Sequence, residues 1–346
     1  MTAAAGRARA AEAFARQAAA CDALGSPFMG RLMRLAHGAL PPGPLRERID
    51  GWPGTGDFTG DAVALRLAGG LHALARAGDA LAAAYPPHEA DDAALAAALS
   101  DAVRREENRL LRWLDSPPQT NEVRRAACLI AAAHLLAARH GLPLVLSELG
   151  ASAGLNLLFD RFALETPDGP RGAAGPVLTL APDWTGPVPP ATPFTVAARA
   201  GVDLSPIDVR DPAQRERLMA YLWPDQPFRA RITEAAIAAG PPLPETADAV
   251  DWLERRLAVP RSGALHLVYH TVAWQYLPAD RQARGEALLA AAGARGAPDA
   301  PLARLSMEGD GGRGAAVTLT TWPDGLTETL GRICFHGRWV DWQAAA

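Results

Sequence analysis

The sequence predicts an α/β chain, with a mostly parallel sheet over residues 139–346 preceded by an all-α region over residues 1–138. Three observations predict it. Apolar residues recur at helical spacing as far as about residue 138. From Pro143 they gather instead into short runs that alternate with helical stretches, the signature of βαβ units. The first of these runs ends in a turn of small residues, Gly150-Ala151-Ser152-Ala153-Gly154, which lets a backbone come close to a ligand.

In the first region Ala8–Leu24 carries Phe14, Cys21 and Leu24 among alanines and stops at Gly25. Ser26-Pro27 reads as an N-cap and first turn for a helix over Phe28–Ala36. The Pro- and Gly-rich stretch Pro41–Thr59 reads as loop. Val63, Leu67, Leu71 and Leu74 mark a helix over Asp61–Ala77, and Leu95, Leu99, Val103, Leu110 and Leu114 mark another over Asp92–Leu114. Thr120 reads as the cap of a last helix, Asn121–His140, ending before Gly141. In the second region the first strand leads to Glu148, and Leu155, Leu157 and Leu158 open a helix after the small-residue turn. Residues 166–193, full of Pro and Gly with a short strand at Val177–Leu180, read as an insertion. Leu302–Met307, Ala315–Thr321 and Ile333–Val340 read as closing strands, with Asp324-Gly325 as a turn between the last two. No internal repeat is present.

Strand, tight turn and helix start, as in P-L-V-L-S-E-L-G-A-S-A-G-L-N-L-L (Pro143–Leu158), is how open α/β sheets hold nucleotide-like cofactors. The turn has two glycines, with Ser152 where a dinucleotide fingerprint has a third, and a purely packing turn is the alternative reading. Three further segments end in polar groups: Ala200 to Asp208, Thr246 to Val250 with Asp248, and Ala264 to His270. Ligands in open α/β sheets sit outside such strand ends.

This ordered series, over about Arg139–Trp342, resembles the class I S-adenosylmethionine-dependent methyltransferases. In that family an acidic-Gly loop follows the first strand, and an acid ends the second, often as G-[VI]-D-x-S-P (here Gly201 to Pro206). Another acid follows the third strand, and a polar or aromatic residue ends the fourth. The resemblance implies a Rossmann-like sheet closed by an antiparallel pair, S-adenosylmethionine as cofactor, and methyl transfer to a small molecule. It places Gly150, Ser152 and Gly154 in the cofactor loop, Glu148 near the ammonium group, and Asn156 toward the carboxylate. It also places Asp203 on the ribose hydroxyls, Asp248 on adenine, and His270 at the transferred methyl as a base. The residues alone leave other roles open: helix capping for Glu148 and Asp203, a simple turn acid for Asp248, and a cap or core histidine for His270. P-L-V-L-S-E-L-G-A-S-A-G-L-N-L and Y-L-W-P-D-Q-P-F-R-A-R also resemble a large bacterial family known as a domain of unknown function. That resemblance spans nearly the whole chain and implies no activity.

Four residues are candidates on the substrate side. Asn121 lies ahead of the first strand, in a segment that in methyltransferases closes over the cofactor. Trp223 and Arg229 lie in a stretch dense in aromatics and arginines that either binds an anionic or aromatic group or packs the helical region. Trp274 lines a pocket or joins the core. The N-terminal helices and the 166–193 insertion would form the lid.

Composition narrows the chemistry. The 346 residues carry a net charge of −4, and the sequence contains no lysine, so all 34 basic residues are arginine. That excludes a lysine imine, a Walker A loop and a Tyr-x-x-x-Lys dehydrogenase pair. Methyl transfer from a sulfonium needs no lysine, because the leaving group is already activated. No basic face suggests nucleic acid, no apolar run suggests a membrane span or signal, and no His/Cys/Asp cluster has metal-ligand spacing. Cys21, Cys128 and Cys334 are far apart and odd in number, which points to the cytoplasm. Two competing functions stand beside methyl transfer: a non-catalytic protein binding a nucleoside-type ligand, and a nicotinamide-dependent oxidoreductase.

Overall fold

The structure, a computed structural model, describes residues 3–54 and 60–344 and divides into two compact units. The first contains the described residues up to Thr120 together with Arg210–Arg231; the second contains Asn121–Val209 and the described residues from Ile232. The boundary expected at 138/139 falls inside a helix of the second unit.

The first unit is helical. Its members are α1 (Ala3–Ala23), α2 (Pro27–Ala39), α3 (Pro44–Asp50), α4 (Val63–Arg76), α5 (Asp92–Trp113) and, after α6 (Ala126–His140) of the other unit, α7 (Pro212–Ala220). Ser26 caps α2 through its Oγ, which accepts the amide of Met29, and Pro27 occupies the first turn. Asp225 in turn accepts from Ser26 Oγ and from the amide of Phe28. The core joins Leu32, Leu45, Leu67, Leu71, Leu95 and Leu99 with Trp223. Gly69 on α4 lies under the Tyr221 ring, where a Cβ would overlap it. The Pro- and Gly-rich stretch expected to be loop contains α3, because Pro44 starts a turn whose Leu45 and Ile49 are buried; its residues 55–59 lie outside the described residues.

The second unit holds β1 (Leu144–Leu149), β2 (Phe162–Leu164), β3 (Arg171–Gly172), β4 (Leu178–Leu180), β5 (Asp183–Thr185), β6 (Val196–Asp203) and β7 (Glu245–Thr246). It continues with β8 (Leu265–Thr271), β9 (Leu302–Gly309), β10 (Ala315–Trp322), β11 (Leu326–Ile333) and β12 (Trp339–Trp342). Its other helices are α9 (Ala249–Arg256) and α10 (Ala279–Gly293), and α8 (Pro227–Ala238) crosses the boundary between units.

Nine strands form a mixed, mostly parallel sheet in the order β5-β12-β11-β10-β9-β8-β1-β6-β7. The run β7-β6-β1-β8-β9 is parallel, β9 to β12 form an antiparallel meander, and β5 adds in parallel to β12. β1 and β8 are buried along their whole length, as central parallel strands must be. On one face Leu149, Val202 and Val268 pack with Trp252 and Leu253 of α9 and Leu289 of α10.

Three local expectations change. The turn after β1 leads into a 3₁₀ segment, Leu155–Arg161, rather than an α-helix. The helix before β1 starts at Ala126, and the cap ahead of it is Glu122, not Thr120, serving the 3₁₀ turn Val123–Arg125. The segment expected as one strand at Ile333–Val340 is the junction of β11 and β12, so the Asp324-Gly325 turn joins β10 to β11. The 166–193 insertion supplies β3 and β4 of a small sheet ordered β3-β2-β4, and β5 at one edge of the large sheet. His134 of α6 pins it, with Nδ1 against Thr192 O at 2.6 Å and Nε2 accepting the amide of Gly172 at 2.9 Å.

Candidate functional site

Parallel pairing sets the neighbours of Glu148. It lies opposite Gly201 of β6 and Tyr269 of β8. Tyr269 Oη lies 3.5 Å from Glu148 Oε2 and donates to the carbonyl of Asn156 at 3.2 Å. Glu148 is fully buried. Burial pushes its carboxyl well above the usual range, and the nearby Asp203 charge pushes the same way; Tyr269 and Arg125 oppose the rise.

The small-residue turn that follows is held tightly. Gly150 and Gly154 take left-handed backbone angles, and so does Ser152, whose φ is 51°. The amides of Gly150 and Ala151 both donate to Val202 O. The amide of Ser152 donates to Asp203 Oδ2 at 2.9 Å, while Asp203 Oδ1 accepts the amide of Ser205 at 2.9 Å. Asn121 Oδ1 accepts the amide of Leu155 at 2.9 Å, and Asn156 Nδ2 donates to Glu122 O at 3.2 Å. Ala273 covers the open side of Gly150, and Pro242 O covers that of Gly154. Two side-chain atoms at this turn, Ser152 Oγ and Asn156 Oδ1, are buried without a hydrogen-bond partner.

Glu148, Gly150, Ser152, Gly154, Asn156 and Asp203 lie together around this turn, and Asn121, a candidate for the substrate side, bonds to it as well. The remaining candidates do not join them. Asp248 is the N-cap of α9, accepting the amides of Val250 and Asp251, and it pairs with Arg281. Trp223 and Arg229 belong to the helical unit, where Trp223 is a core residue and the Arg229 guanidinium lies 5.4 Å from its ring. Trp274 packs in the apolar cluster of the sheet unit.

His270 requires a correction. It precedes Thr271 at the end of β8, and because successive strand residues face opposite ways it points away from the face that Tyr269 shares with Glu148. It is fully buried and stacks on Trp274 at 5.1 Å. Nδ1 lies 2.6 Å from Glu308 Oε1, and Nε2 accepts from Arg304 Nε at 3.0 Å. Arg304 also pairs with Glu286. Burial lowers the pKa of His270 while Glu308 opposes this. With both ring nitrogens engaged, the imidazole is a donor to Glu308 and has no lone pair to offer as a base.

Sequence reading missed Arg304 and Glu308. The available signal was two charges four residues apart in the otherwise apolar strand L-A-R-L-S-M-E-G, which places them on one face.

Elsewhere, a cleft of about 260 Å³ lies within the helical unit, lined by His72, Arg76, Tyr85, Pro87 and His88 among others. Arg76 there is already paired with Glu216. Among the described residues no three His, Cys, Asp or Glu side chains are grouped to hold a metal ion, and no helix is long and apolar enough to cross a membrane.

Compared with known proteins, the chain matches no curated protein and no solved structure. One family model, described as "Uncharacterized protein conserved in bacteria (DUF2332)", matches residues 11–342, and the chain belongs to that family.

Proposed function

We propose that the sheet unit is a Rossmann-like domain that binds S-adenosylmethionine in the crevice at the ends of β1 and β6 and directs methyl transfer to a small molecule. One observation carries the reading. The parallel run β7-β6-β1-β8-β9 follows the 3-2-1-4-5 order of doubly wound sheets, and it sets Asp203 beside the small-residue turn that follows Glu148.

The residues fit the cofactor. Ser152 Oγ and Asn156 Oδ1 are orphaned polar atoms at the turn. Asp203 would hold the ribose hydroxyls, Glu148 the ammonium group and Asn156 the amino-acid end. The cofactor supplies a methyl group already activated on a sulfonium. The protein's part is then orientation and exclusion of water. A ligand at the turn must compete with the bonds Asp203 and Asn121 already make to its amides. No residue is assigned as a base, and Asp248 keeps its capping role.

Isothermal titration of the whole chain with S-adenosylmethionine and S-adenosylhomocysteine tests this. Expected is micromolar binding that Asp203→Ala weakens by roughly tenfold or more, the loss of a charge-assisted contact. Absence of binding by well-folded protein would sink the reading, and a response to NADH instead would favour the oxidoreductase. The engaged nitrogens of His270 also support a second reading, in which the domain binds a nucleoside-type ligand without turnover. Binding with no methyl transfer across a panel of acceptors would select it.

A further inference from the structure

Glu308 holds more than His270. Its Oε1 accepts from His270 Nδ1 and from the amides of Ala273 and Trp274, both at 3.0 Å, and the amide of Gln275 lies 3.4 Å from Oε2. Gln275 answers with its own Oε1, which accepts the amide of Gly309 at 3.0 Å. One carboxylate, lowered in pKa by these donors against the cost of burial, thus gathers successive amides of the turn after β8. That turn begins at Val272, a β-branched residue at φ 56°, a backbone state such residues avoid unless their surroundings impose it. Arg125 grips the carbonyl of Thr271 just before it. Its Ala273 methyl is what covers Gly150.

We propose that Glu308 is a positioning residue: by gathering these amides it holds the 272–275 turn in its strained form and seats Ala273 against Gly150, and so shapes the small-residue turn after β1. Its bearing on ligand affinity rests on the crevice reading above; the latch itself does not.

Hydrogen exchange on the full chain tests it, comparing wild type with Glu308→Ala and Glu308→Gln, with and without formate. In Glu308→Ala, exchange at residues 273–275 and 150–154 should rise roughly tenfold or more, while central amides of β1 and β8 keep their protection. Formate, small enough to occupy the vacated carboxylate position, should restore protection in Glu308→Ala and leave wild type unchanged; a carboxylate that merely fills space would not be replaced this way. Glu308→Gln, which keeps an acceptor but turns an NH₂ toward the amides, should be intermediate, and it decides the matter if the alanine variant does not fold. Unchanged exchange at 150–154 in the folded variants, or no response to formate, overturns the proposal. S-adenosylhomocysteine titration is run in parallel. If wild type binds none, the crevice reading fails alone; if wild type binds and Glu308→Ala binds equally well, the link to affinity fails.

Discussion

Glu148 shows what a central parallel strand does to a carboxyl. With neighbours on both sides and its side chain buried, the charged form is disfavoured, so the folded protein holds more tightly a proton that the unfolded chain releases above about pH 4.5. A raised folded pKa means that this group costs stability as pH climbs from that point toward the folded value. Glu148→Gln, neutral and of the same shape, should therefore raise the melting temperature at pH 7.5, with the gain shrinking as pH approaches 4.5. Calorimetry across that range checks it, and a loss of stability at pH 7.5 would contradict it. The same substitution should weaken any cationic ligand at the turn. The positions of Glu148 and Asp203 at strand ends were legible from an acid closing an apolar run, while the residues alone left their roles open between ligand contact and helix capping. His270 was not legible in the same way. Its partners lie 34 and 38 positions away, and only the β8–β9 register, pairing His270 with Ser306, brings them to it. His266 shows the same effect: buried beside Ser147 and Arg256, its pKa is driven down to about 3.

At the scale of elements, the turn after β1 depends on glycine at both ends. At Gly154 a Cβ would meet Pro242 O, a backbone atom that cannot swing aside, and the residue already sits at φ 71°. Gly154→Ala should lower stability by about 2–4 kcal/mol, combining a left-handed penalty with overpacking. Chemical denaturation measures this, and a change below about 0.5 kcal/mol, the range of ordinary surface substitutions, would show that the turn relaxes freely. The α-helix expected after the turn is absent because its carbonyls and side chains are claimed from outside. Arg199 of β6 takes Leu157 O and both carboxylate oxygens of Asp160, which ties the segment into a tighter 3₁₀ winding before β2 begins at Phe162. Nothing in L-N-L-L-F-D-R announces an arginine from some forty residues later. β11 escaped notice for another reason: L-T-E-T-L-G-R-I alternates weakly and keeps much of one side exposed, so its apolar signal is thin.

For the whole molecule, the helical region and the sheet region were legible because periodicity changes so sharply near residue 140, yet the division of the chain was not. The segment Arg210–Arg231 lies between β6 and β7 in sequence but belongs to the helical unit. It supplies Trp223 to that core, Tyr221 over Gly69, and Asp225 to the start of α2. Its dense aromatics and arginines were open to either a packing or a binding reading, and the helical core accounts for Trp223. A fragment ending at Thr120 should consequently lack a cooperative thermal transition and bind a hydrophobic dye such as ANS, whereas the same fragment joined through a flexible linker to residues 210–231 should regain the transition and lose the dye. Cooperative melting of the shorter fragment would show that the later segment is dispensable. The same discontinuity orders events on the ribosome. After α5 has emerged, the machinery must add roughly a hundred more residues, about 5–20 seconds at ordinary elongation rates, before the last piece of the first unit is available. Through that interval the nascent helices present Leu67, Leu71 and their neighbours without Trp223 to complete their packing. Helices that are made before the sheet thus wait for a segment made after its first strands to complete their packing.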